Sequence, residues 1–319
     1  MEAYPKNIME FEQQFDSENK CREYLTQLRW PEGFRCPKCQ GRKYWMTKHG
    51  LYYCTHCEYK SSVISGTVFQ DTVKPLKLWF RAMWYVTNQK HGVSALGLQR
   101  TLGLGSYHTA WAWLHKLRSA MVRPDRDRLS GIVEVDETYL GGPRSGKRGR
   151  GAEGKVLVVV AAEKDGNRIG RIRLKPVPDA SEESLKKAVT QSVEPNTTVH
   201  TDGWRGYNWL DKLGYARRII RQEADVGDNL LPKVNLVVSL LKRWLLGTHQ
   251  GAVQVSHLGY YLDEFTFRFN RRTSRSRGKL FYRLLQQSVD ILPVPVKNIV
   301  GGQTMKAHPL RIDELQSSA

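Results

Sequence analysis

The 319-residue chain carries 50 lysines and arginines against 31 aspartates and glutamates, which gives a formal net charge of +19. A charge of this size favours a polyanionic partner, and double-stranded DNA or another nucleic acid is the obvious one. Hydrophobic residues make up 40% of the chain, so it can bury the cores of two or three small domains and is not wholly disordered.

A membrane is the rival partner for so basic a chain, but the sequence offers no segment for one. The longest apolar run, residues 156–162, is far too short to span a bilayer. The first residues lack the basic-then-apolar pattern of a signal peptide. We therefore expect a cytoplasmic protein that makes no use of a membrane.

Residues 1–70 are predicted to form an N-terminal helical region followed by a zinc ribbon. Phe11, Phe15 and Tyr24 anchor one short helix or two before residue 30. Two Cys-x2-Cys pairs follow, separated by 14 residues and formed by Cys36, Cys39, Cys54 and Cys57. Four thiolates at this spacing complete the tetrahedral site that Zn²⁺ prefers and leave no position for a reacting water, so the predicted zinc is structural. His56 is interpreted as a surface residue and Cys21 as a buried or idle thiol.

Residues 71–125 change to helical spacing, with a wide apolar stripe over 76–86. A short helix from about Val93, a glycine-rich turn at 103–105 and a helix capped by Ser106 give a helix-turn-helix outline. Such a helical hairpin is also common as plain core. If it reads DNA, the exposed face of its second helix supplies the contacts, with four candidates: Tyr107, His108, Trp111 and His115.

Residues 126–290 alternate strands and helices. The predicted order is three consecutive strands, then helix, strand, short helix, strand and long helix, over 132–140, 156–163, 169–175, 181–193, 197–201, 207–213, 215–221 and from 232 onward. This order predicts an α/β fold, an RNase H-like mixed sheet flanked by helices. Residues 246–290 are predicted to be helical, split by a basic stretch, and 291–319 to be a loose carboxyl-terminal tail.

Two aspartates lie where that sheet would hold a metal site. In the strand IVEVDETYL, alternation puts Glu134 and Asp136 on the face opposite Val133 and Val135. Asp202 ends a second strand, and in the inferred order the two strands are neighbours at the sheet centre. Carboxylates that face each other repel unless cations lie between them, so two Mg²⁺ ions are the expected partners, with Mn²⁺ as the alternative ion.

The third ligand is expected from the long helix. Asn235, Ser239 and Lys242 share one helix face, and an asparagine can offer a carbonyl oxygen to Mg²⁺. Lys242 would then reach a DNA phosphate beside the metals. Taken alone, an aspartate on a strand is more often a turn or surface residue, and an asparagine on a helix often has no special role.

Five motifs in order give the sequence a resemblance to a known family: CPKC with YYCTHC, GIVEVDETYLGG, VHTDGWRGYN, SLLKRWLLGTH and YLDEFTFRFNRR. Across about residues 10–290 the chain resembles the ISXO-two-like insertion-sequence transposases. The resemblance implies a zinc ribbon before a DDE-type RNase H-like domain that cuts and joins DNA with Mg²⁺. The family's first two acids match Asp136 and Asp202.

At the third position the resemblance implies a ligand seven residues before a lysine, which matches Asn235 and Lys242. This chain therefore resembles the D-D-N-K variety rather than the common D-D-E variety. Glu264 is the reserve candidate for the third ligand, although the family makes it structural.

Two basic stretches are expected to hold the DNA backbone of the element ends and of the target. One is the glycine-rich loop 144–155, with Arg148 and Arg150. The other is 268–283, which holds seven lysines or arginines and no acid, including Arg271, Arg272, Arg275 and Arg277. Because transposition needs two element ends together, the resemblance also implies a homo-oligomer on DNA, associated with the nucleoid when bound.

Three other functions stay open on the sequence alone. A zinc-ribbon regulator without catalysis explains the charge and the amino-terminal half, but not the acids on buried strands. A nuclease of the same fold would cut without joining. A decayed transposase would have lost activity, although the motifs are intact apart from the third ligand.

Overall fold

A computed structural model describes residues 4–141, 155–223, 229–251 and 253–301. These residues form two compact units. The first holds residues 4–124 and 274–300, and the second holds the described part of 125–273. None of the described helices combines the length and the apolar character needed to cross a membrane.

The first unit begins with two helices, α1 (Ile8–Gln14) and α2 (Glu18–Arg29). The side chains of Asn7 and Ser17 cap them by accepting backbone N–H groups of the first turn. The predicted anchors Phe11, Phe15 and Tyr24 are buried, and the rings of Phe11 and Phe15 meet edge to face at 5.2 Å. The alternative of two short helices is therefore the correct one.

Next comes a three-stranded antiparallel sheet of β1 (Tyr44–Met46), β2 (Tyr52–Cys54) and β3 (Lys60–Ser61), in that order. Three helices follow it, α3 (Leu76–Asn88), α4 (Ala95–Leu102) and α5 (Tyr107–Ser119). Gly103 takes the left-handed conformation, φ 63°, that ends α4, and Ser106 caps α5 through the His108 amide. The predicted glycine turn and cap are both confirmed.

The second unit is built on a five-stranded mixed sheet of β4 (Ile132–Leu140), β5 (Val156–Asp165), β6 (Arg168–Val177), β7 (Thr198–Thr201) and β8 (Ala216–Ile219). The strand order is β6-β5-β4-β7-β8, with β4 antiparallel to β5 and parallel to β7. Its helices are α6 (Glu182–Ser192), α7 (Pro232–His249) and α8 (Leu258–Asn270). This is the predicted RNase H-like architecture, including the adjacency of the first and fourth strands.

Each face of this sheet buries its own core. Alternate residues of β4 and β5, such as Val133, Val135 and Val159, pack with Leu185 and Val189 of α6. The other alternate residues of β5 pack with α7 and α8; this second core includes Val158, Val160, Val234, Val237, Leu241, Leu262 and Phe265. The sheet is thus covered on both sides, as its near-continuous apolar strand β5 requires.

The segment 207–213 was predicted as one short helix, and that prediction is wrong. It contains two separate 3-10 turns, Arg205–Tyr207 and Asp211–Leu213. Tyr207, Trp209 and Leu210 are all buried. An α-helix would put Tyr207 and Trp209 on opposite sides, so it could not bury both against one core.

Two further helices complete the first unit, α9 (Arg277–Asp290) and α10 (Val296–Val300). Phe281 of α9 meets Phe11 edge to face at 5.4 Å, so this helix, grouped by sequence with the catalytic domain, packs in the first unit. In the predicted tail, Ile299 of α10 is buried, and residues 302–319 lie outside the described residues.

Candidate active site and candidate zinc site

The four cysteine sulfurs of the ribbon lie within 4.8 Å of one another. The Sγ atoms of Cys36 and Cys57 are 3.6 Å apart, and those of Cys39 and Cys54 are 3.5 Å apart. Each pair joins one cysteine of the first motif to one of the second. Four sulfurs gathered in this way fit a single structural zinc site, as the spacing predicted.

Backbone hydrogen bonds shape both cysteine turns alike. The amide of Gln40 donates to the carbonyl of Cys36, and the amide of Glu58 donates to the carbonyl of Cys54, each at 2.9 Å. Gln40 and Glu58 take the left-handed conformation, with φ 60° and 58°. The sequence therefore folds each Cys-x2-Cys into a closed turn that aims both of its sulfurs to one side.

The surroundings of one sulfur, that of Cys54, favour the thiolate form that zinc needs, whereas burial, together with the neighbouring sulfurs, raises the pKa of the Cys36 and Cys39 thiols. The backbone N–H groups of Cys57 and His56 lower the pKa of the Cys54 thiol to about 6. A Cβ on Gly41 would lie 3.3 Å from the sulfur of Cys39, a tight contact that favours glycine beside the cluster. The imidazole of His56 is exposed and Cys21 is buried, as predicted for both.

Purified protein is expected to carry about one Zn²⁺ per chain, since all four ligand positions are filled. Replacing Cys36 or Cys54 with serine should release the ion and destabilise the ribbon, because the ribbon has little core of its own. Metal analysis by mass spectrometry checks this, and Cys21→Ser is the matched control that should keep its zinc. Chelator-free protein without zinc would contradict the prediction.

In the second unit, the two predicted acids lie at one level of adjacent parallel strands. The register pairs Val133 with Val199 and Glu134 with His200. Two residues further along each strand direction stand Asp136, inside β4, and Asp202, directly after β7. Gly203 follows with φ 99°, which turns the chain away from the sheet end.

The electrostatics of this pair are those of acids held close together. The pKa of Asp136 is raised to about 6, mainly by partial burial and to a smaller extent by the negative charges of Glu137 and Asp202. The backbone N–H of Glu137, which donates to Oδ1 of Asp136, acts in the opposite direction. Within the described residues, neither Asp136 nor Asp202 forms an ion pair with lysine or arginine. Half-buried carboxylates that repel one another suit a divalent cation.

Sequence reasoning missed a buried tyrosine behind this pair. The hydroxyl of Tyr207 donates a 2.7 Å hydrogen bond to Oε2 of Glu137, and the tyrosine side chain is fully buried. Burial raises the pKa of Tyr207 well above its usual value, and the negative charges of Glu137, Asp136 and Asp202 act in the same direction. The bond holds Glu137 on the sheet face opposite to Asp136. A tyrosine five residues after Asp202 in HTDGWRGY was the available signal.

A second role that the sequence did not reveal belongs to Glu134, the neighbour of Asp136 on the same strand face. Its carboxylate is buried, and Oε2 accepts the N–H groups of Lys233 at 2.8 Å and Val234 at 3.1 Å, in the first turn of α7. The helix has no cap from its own Leu231, so the acid on β4 caps it instead. Asn235 follows Val234 directly, which ties the proposed third ligand to the strand that carries Asp136.

The predicted face of α7 is open to solvent. Asn235, Ser239 and Lys242 are exposed, while Val234, Val237 and Leu241 are buried. The Asn235 amide nitrogen donates to Asn229 at 2.5 Å, and this bond does not use the carbonyl oxygen that a cation would bind. Lys242 borders a cavity of about 190 Å³ that Tyr139 and Leu140 of β4 also line.

The reserve candidate Glu264 lies inside α8 with 1% of its surface exposed. Its Oε1 accepts a 2.9 Å hydrogen bond from Nε of Arg268, one turn later on the same helix. A buried carboxylate already paired with a guanidinium is a poor metal ligand. This geometry agrees with the structural role that the resemblance gave to Glu264.

The predicted DNA-contacting arginines differ in their surroundings. Arg275 is exposed, and Arg271 stacks over the Phe267 ring at 4.3 Å. Arg272 stacks over Phe269 at 4.1 Å and donates to the carbonyls of Ile169, Gly170 and Phe269, so its guanidinium is committed to holding α8 against β6. Arg277 is half-buried at the start of α9, and Arg148 and Arg150 lie outside the described residues.

On the helical hairpin, only part of the predicted reading face is open. Tyr107 and His108 are exposed and Trp111 is half-buried, but His115 is fully buried, so its selection was wrong. Nδ1 of His115 lies 2.9 Å from the carbonyl of Trp111 one turn earlier. The apolar pattern of α5 predicted a single buried face, which left His115 on the exposed side. In the structure residues 112–115 are all buried, so more than one face of the helix is covered.

Comparison with known proteins agrees with this geometry. Residues 128–270 match the ISXO2-like transposase domain, and residues 16–60 match the transposase zinc-ribbon domain. A relative from Halobacterium salinarum, described as an uncharacterized protein in transposable element ISH50, is 28% identical over 290 residues, which cover 83% of this chain and 94% of the relative.

The RNase H-like sheet and the two matched domains define the protein as a transposase, an enzyme that acts on DNA. The chain carries an ISXO2-like transposase domain behind a transposase zinc ribbon, the two domains of the family that its motifs resemble.

Proposed function

We propose that this transposase binds the ends of its insertion sequence, cleaves them, and joins the 3′ ends to target DNA by two-metal phosphodiester transfer. The observation that carries the proposal is the placement of Asp136 and Asp202 at one level of adjacent parallel strands, beside the capped start of α7. The zinc ribbon and helical hairpin supply DNA binding. The protein works as a homo-oligomer, because two element ends have to be held together.

Asp136, Asp202 and the carbonyl oxygen of Asn235 are the proposed holders of two Mg²⁺ ions. When bound, the ions supply charge for the attacking and leaving oxygens of the phosphodiester, and Mn²⁺ can take their place. The two aspartates orient the reacting phosphate on the sheet, and Lys242 contacts a neighbouring phosphate from the open face of α7. Glu134 acts through Asn235 by fixing the first turn of α7, so it is a positioning residue.

Strand transfer of a pre-cut element end into a plasmid tests the proposal. Joined products in Mg²⁺, and binding without products in Ca²⁺, are the expected results. Cleavage without joining would make the protein a nuclease of the same fold. Binding without either reaction in Mg²⁺ or Mn²⁺ would favour a regulator or a decayed transposase.

Glu134 is expected to matter for catalysis through helix α7. Glu134→Ala leaves two amides of α7 without their acceptor, an effect on the order of 1–3 kcal/mol, and should lower strand transfer more than tenfold. Glu134→Gln keeps an acceptor oxygen and should restore most of the activity. Glu194→Ala, at an exposed position of the same unit, is the control.

Thermal unfolding measured beside the strand-transfer rate separates the two roles of Glu134. A positioning role predicts that the loss of rate persists at temperatures where Glu134→Ala is fully folded. A variant that regains the wild-type rate once it is folded would contradict that role and leave Glu134 as a stability residue.

The basic stretch is expected to set the salt dependence of DNA binding. Each phosphate contact releases counterions, so affinity should fall steeply with salt, and replacing Arg271, Arg275 and Arg277 together with glutamine should flatten the slope. Arg272→Gln alone should lower the melting temperature and leave the slope almost unchanged, because its guanidinium binds backbone carbonyls. Binding isotherms at several salt concentrations measure both; an unchanged slope in the triple variant would exclude this stretch from the DNA interface.

A further inference from the structure

The outer face of the zinc-ribbon sheet carries a row of three side chains that the proposed function does not use. Trp45 of β1 stands opposite Tyr53 of β2, and Tyr53 stands opposite Lys60 of β3. The Trp45 and Tyr53 rings are 4.8 Å apart with their planes 31° from each other. Nζ of Lys60 lies 5.8 Å from the centre of the Tyr53 ring. The row therefore crosses all three strands.

This row is not needed to hold the ribbon together. The opposite face of the sheet packs Tyr52 on Phe34, with the rings stacked 5.1 Å apart, and Tyr52 is 6% exposed. Trp45 on the outer face is 51% exposed. Tryptophan is among the side chains that a fold usually buries to a large extent, so a half-exposed ring beside a second aromatic ring indicates a binding surface.

The charge around the row identifies the kind of partner. Residues 35–60 contain six lysines or arginines and one acid, Glu58. Aromatic rings flanked by cations are the chemistry that binds unpaired nucleotides, because bases stack on the rings while the backbone phosphates meet the cations. A base inside a duplex has both ring faces covered by its neighbours, so it cannot stack in this way.

We propose that the row Trp45–Tyr53–Lys60 binds unpaired nucleotides of the DNA substrate, with bases stacked on the two rings and a phosphate beside Lys60. The inference rests on the proposed function, since cutting at an element end is what frees a strand there. The ribbon then holds the freed strand while the second unit reacts, in addition to any contact with the duplex.

The test uses the full-length, zinc-loaded protein and two fluorescent probes, a single-stranded oligothymidylate and a blunt duplex of the same length. Trp45→Ala and Tyr53→Ala are each expected to weaken binding of the single strand about 5- to 150-fold, the range for losing one base–aromatic stack. Binding of the duplex should change much less. Trp45→Phe, which keeps a ring, should restore most of the affinity, and Tyr59→Ala removes an exposed ring of the ribbon outside the row as the control.

Zinc content, measured for every variant, shows whether the ribbon is folded. If Trp45→Ala loses its metal, Tyr53→Ala and Lys60→Gln decide the question, because each is expected to weaken binding of the single strand more than binding of the duplex. Unchanged affinity for the single strand in folded variants would overturn the inference, and so would an equal loss for both probes. Loss of self-association in place of single-strand affinity, seen by sedimentation, would also overturn it and assign the row to a second copy. If the wild-type protein fails to carry out strand transfer, the proposed function is refuted. The single-strand binding of the variants would still show whether the row binds unpaired nucleotides.

Discussion

Replacing Asp136 or Asp202 with alanine is expected to abolish both cleavage and strand transfer while DNA binding persists. The two residues stand at one level of adjacent strands and are the proposed shared ligands of the catalytic ions. Because losing a partner that only orients a metal ligand costs about 10–100-fold, loss of a ligand itself should cost more. We expect no product above background from either variant.

Asparagine at position 136 makes the test sharper. Asp136→Asn keeps the acceptor for the Glu137 amide and removes only the negative charge. In the metal-free protein this relieves repulsion from Glu137 and Asp202, so the melting temperature should stay the same or rise. An inactive variant that is at least as stable as the wild type cannot be explained by misfolding.

Asp165→Ala is the matched control, because Asp165 is exposed at the end of β5 in the same sheet. It should keep the full rate of strand transfer with Mg²⁺. Ca²⁺ should support DNA binding by all of these proteins and product formation by none. Full activity in Asp136→Ala would end the two-metal mechanism in the form proposed.

The architecture of the second unit could be predicted because its strands carry clear local patterns: alternation in β4 and a continuous apolar run in β5. The predicted strand 132–140 coincides with β4, and the adjacency of β4 and β7 followed from the order of the elements. Local rules also sufficed for the cysteine turns and for the cap at Ser106. In these cases the residues that decide the structure are close together in the chain.

Contacts between distant parts of the chain could not be predicted from the sequence. Glu134 caps a helix that begins about a hundred residues later, and Tyr207 meets Glu137 across 70 positions. Arg272 looked like a phosphate ligand until its carbonyl partners on β6 were known. His115 was misplaced because periodicity gives a helix one buried face, whereas tertiary packing buried α5 on more than one side.

Asn235 is the residue at which this chain departs from the common D-D-E pattern, and Asn235→Ala is expected to cut strand transfer severely. The residue lies in the first turn of α7, directly after the two amides that donate to Glu134. Its backbone, and therefore the origin of its side chain, is held in place. Alanine removes the carbonyl oxygen and the hydrogen bond to Asn229 but no core packing, because the side chain is exposed. Ser239→Ala, one turn along the same exposed face, is the control and should stay active.

Asn235→Glu distinguishes two roles for Asn235: a metal ligand, or a residue that matters only for its hydrogen bond to Asn229. Glutamate offers an oxygen with added charge, and an acid is well tolerated in the first turn of a helix, so the variant should fold and keep part of the activity. Asn229→Ala, which removes only the partner of the Asn235 amide nitrogen, should reduce strand transfer much less than Asn235→Ala.

Lys242→Ala should weaken positioning of the element end more than the response to Mg²⁺, since its ammonium contacts phosphate and not the ions. Strand transfer of the pre-cut end, titrated with Mg²⁺ for each variant, distinguishes these cases. Full activity in Asn235→Ala would spare Asp136 and Asp202 but move the third ligand elsewhere, and Glu264→Gln would then be tested, although its pairing with Arg268 argues for a loss of stability instead.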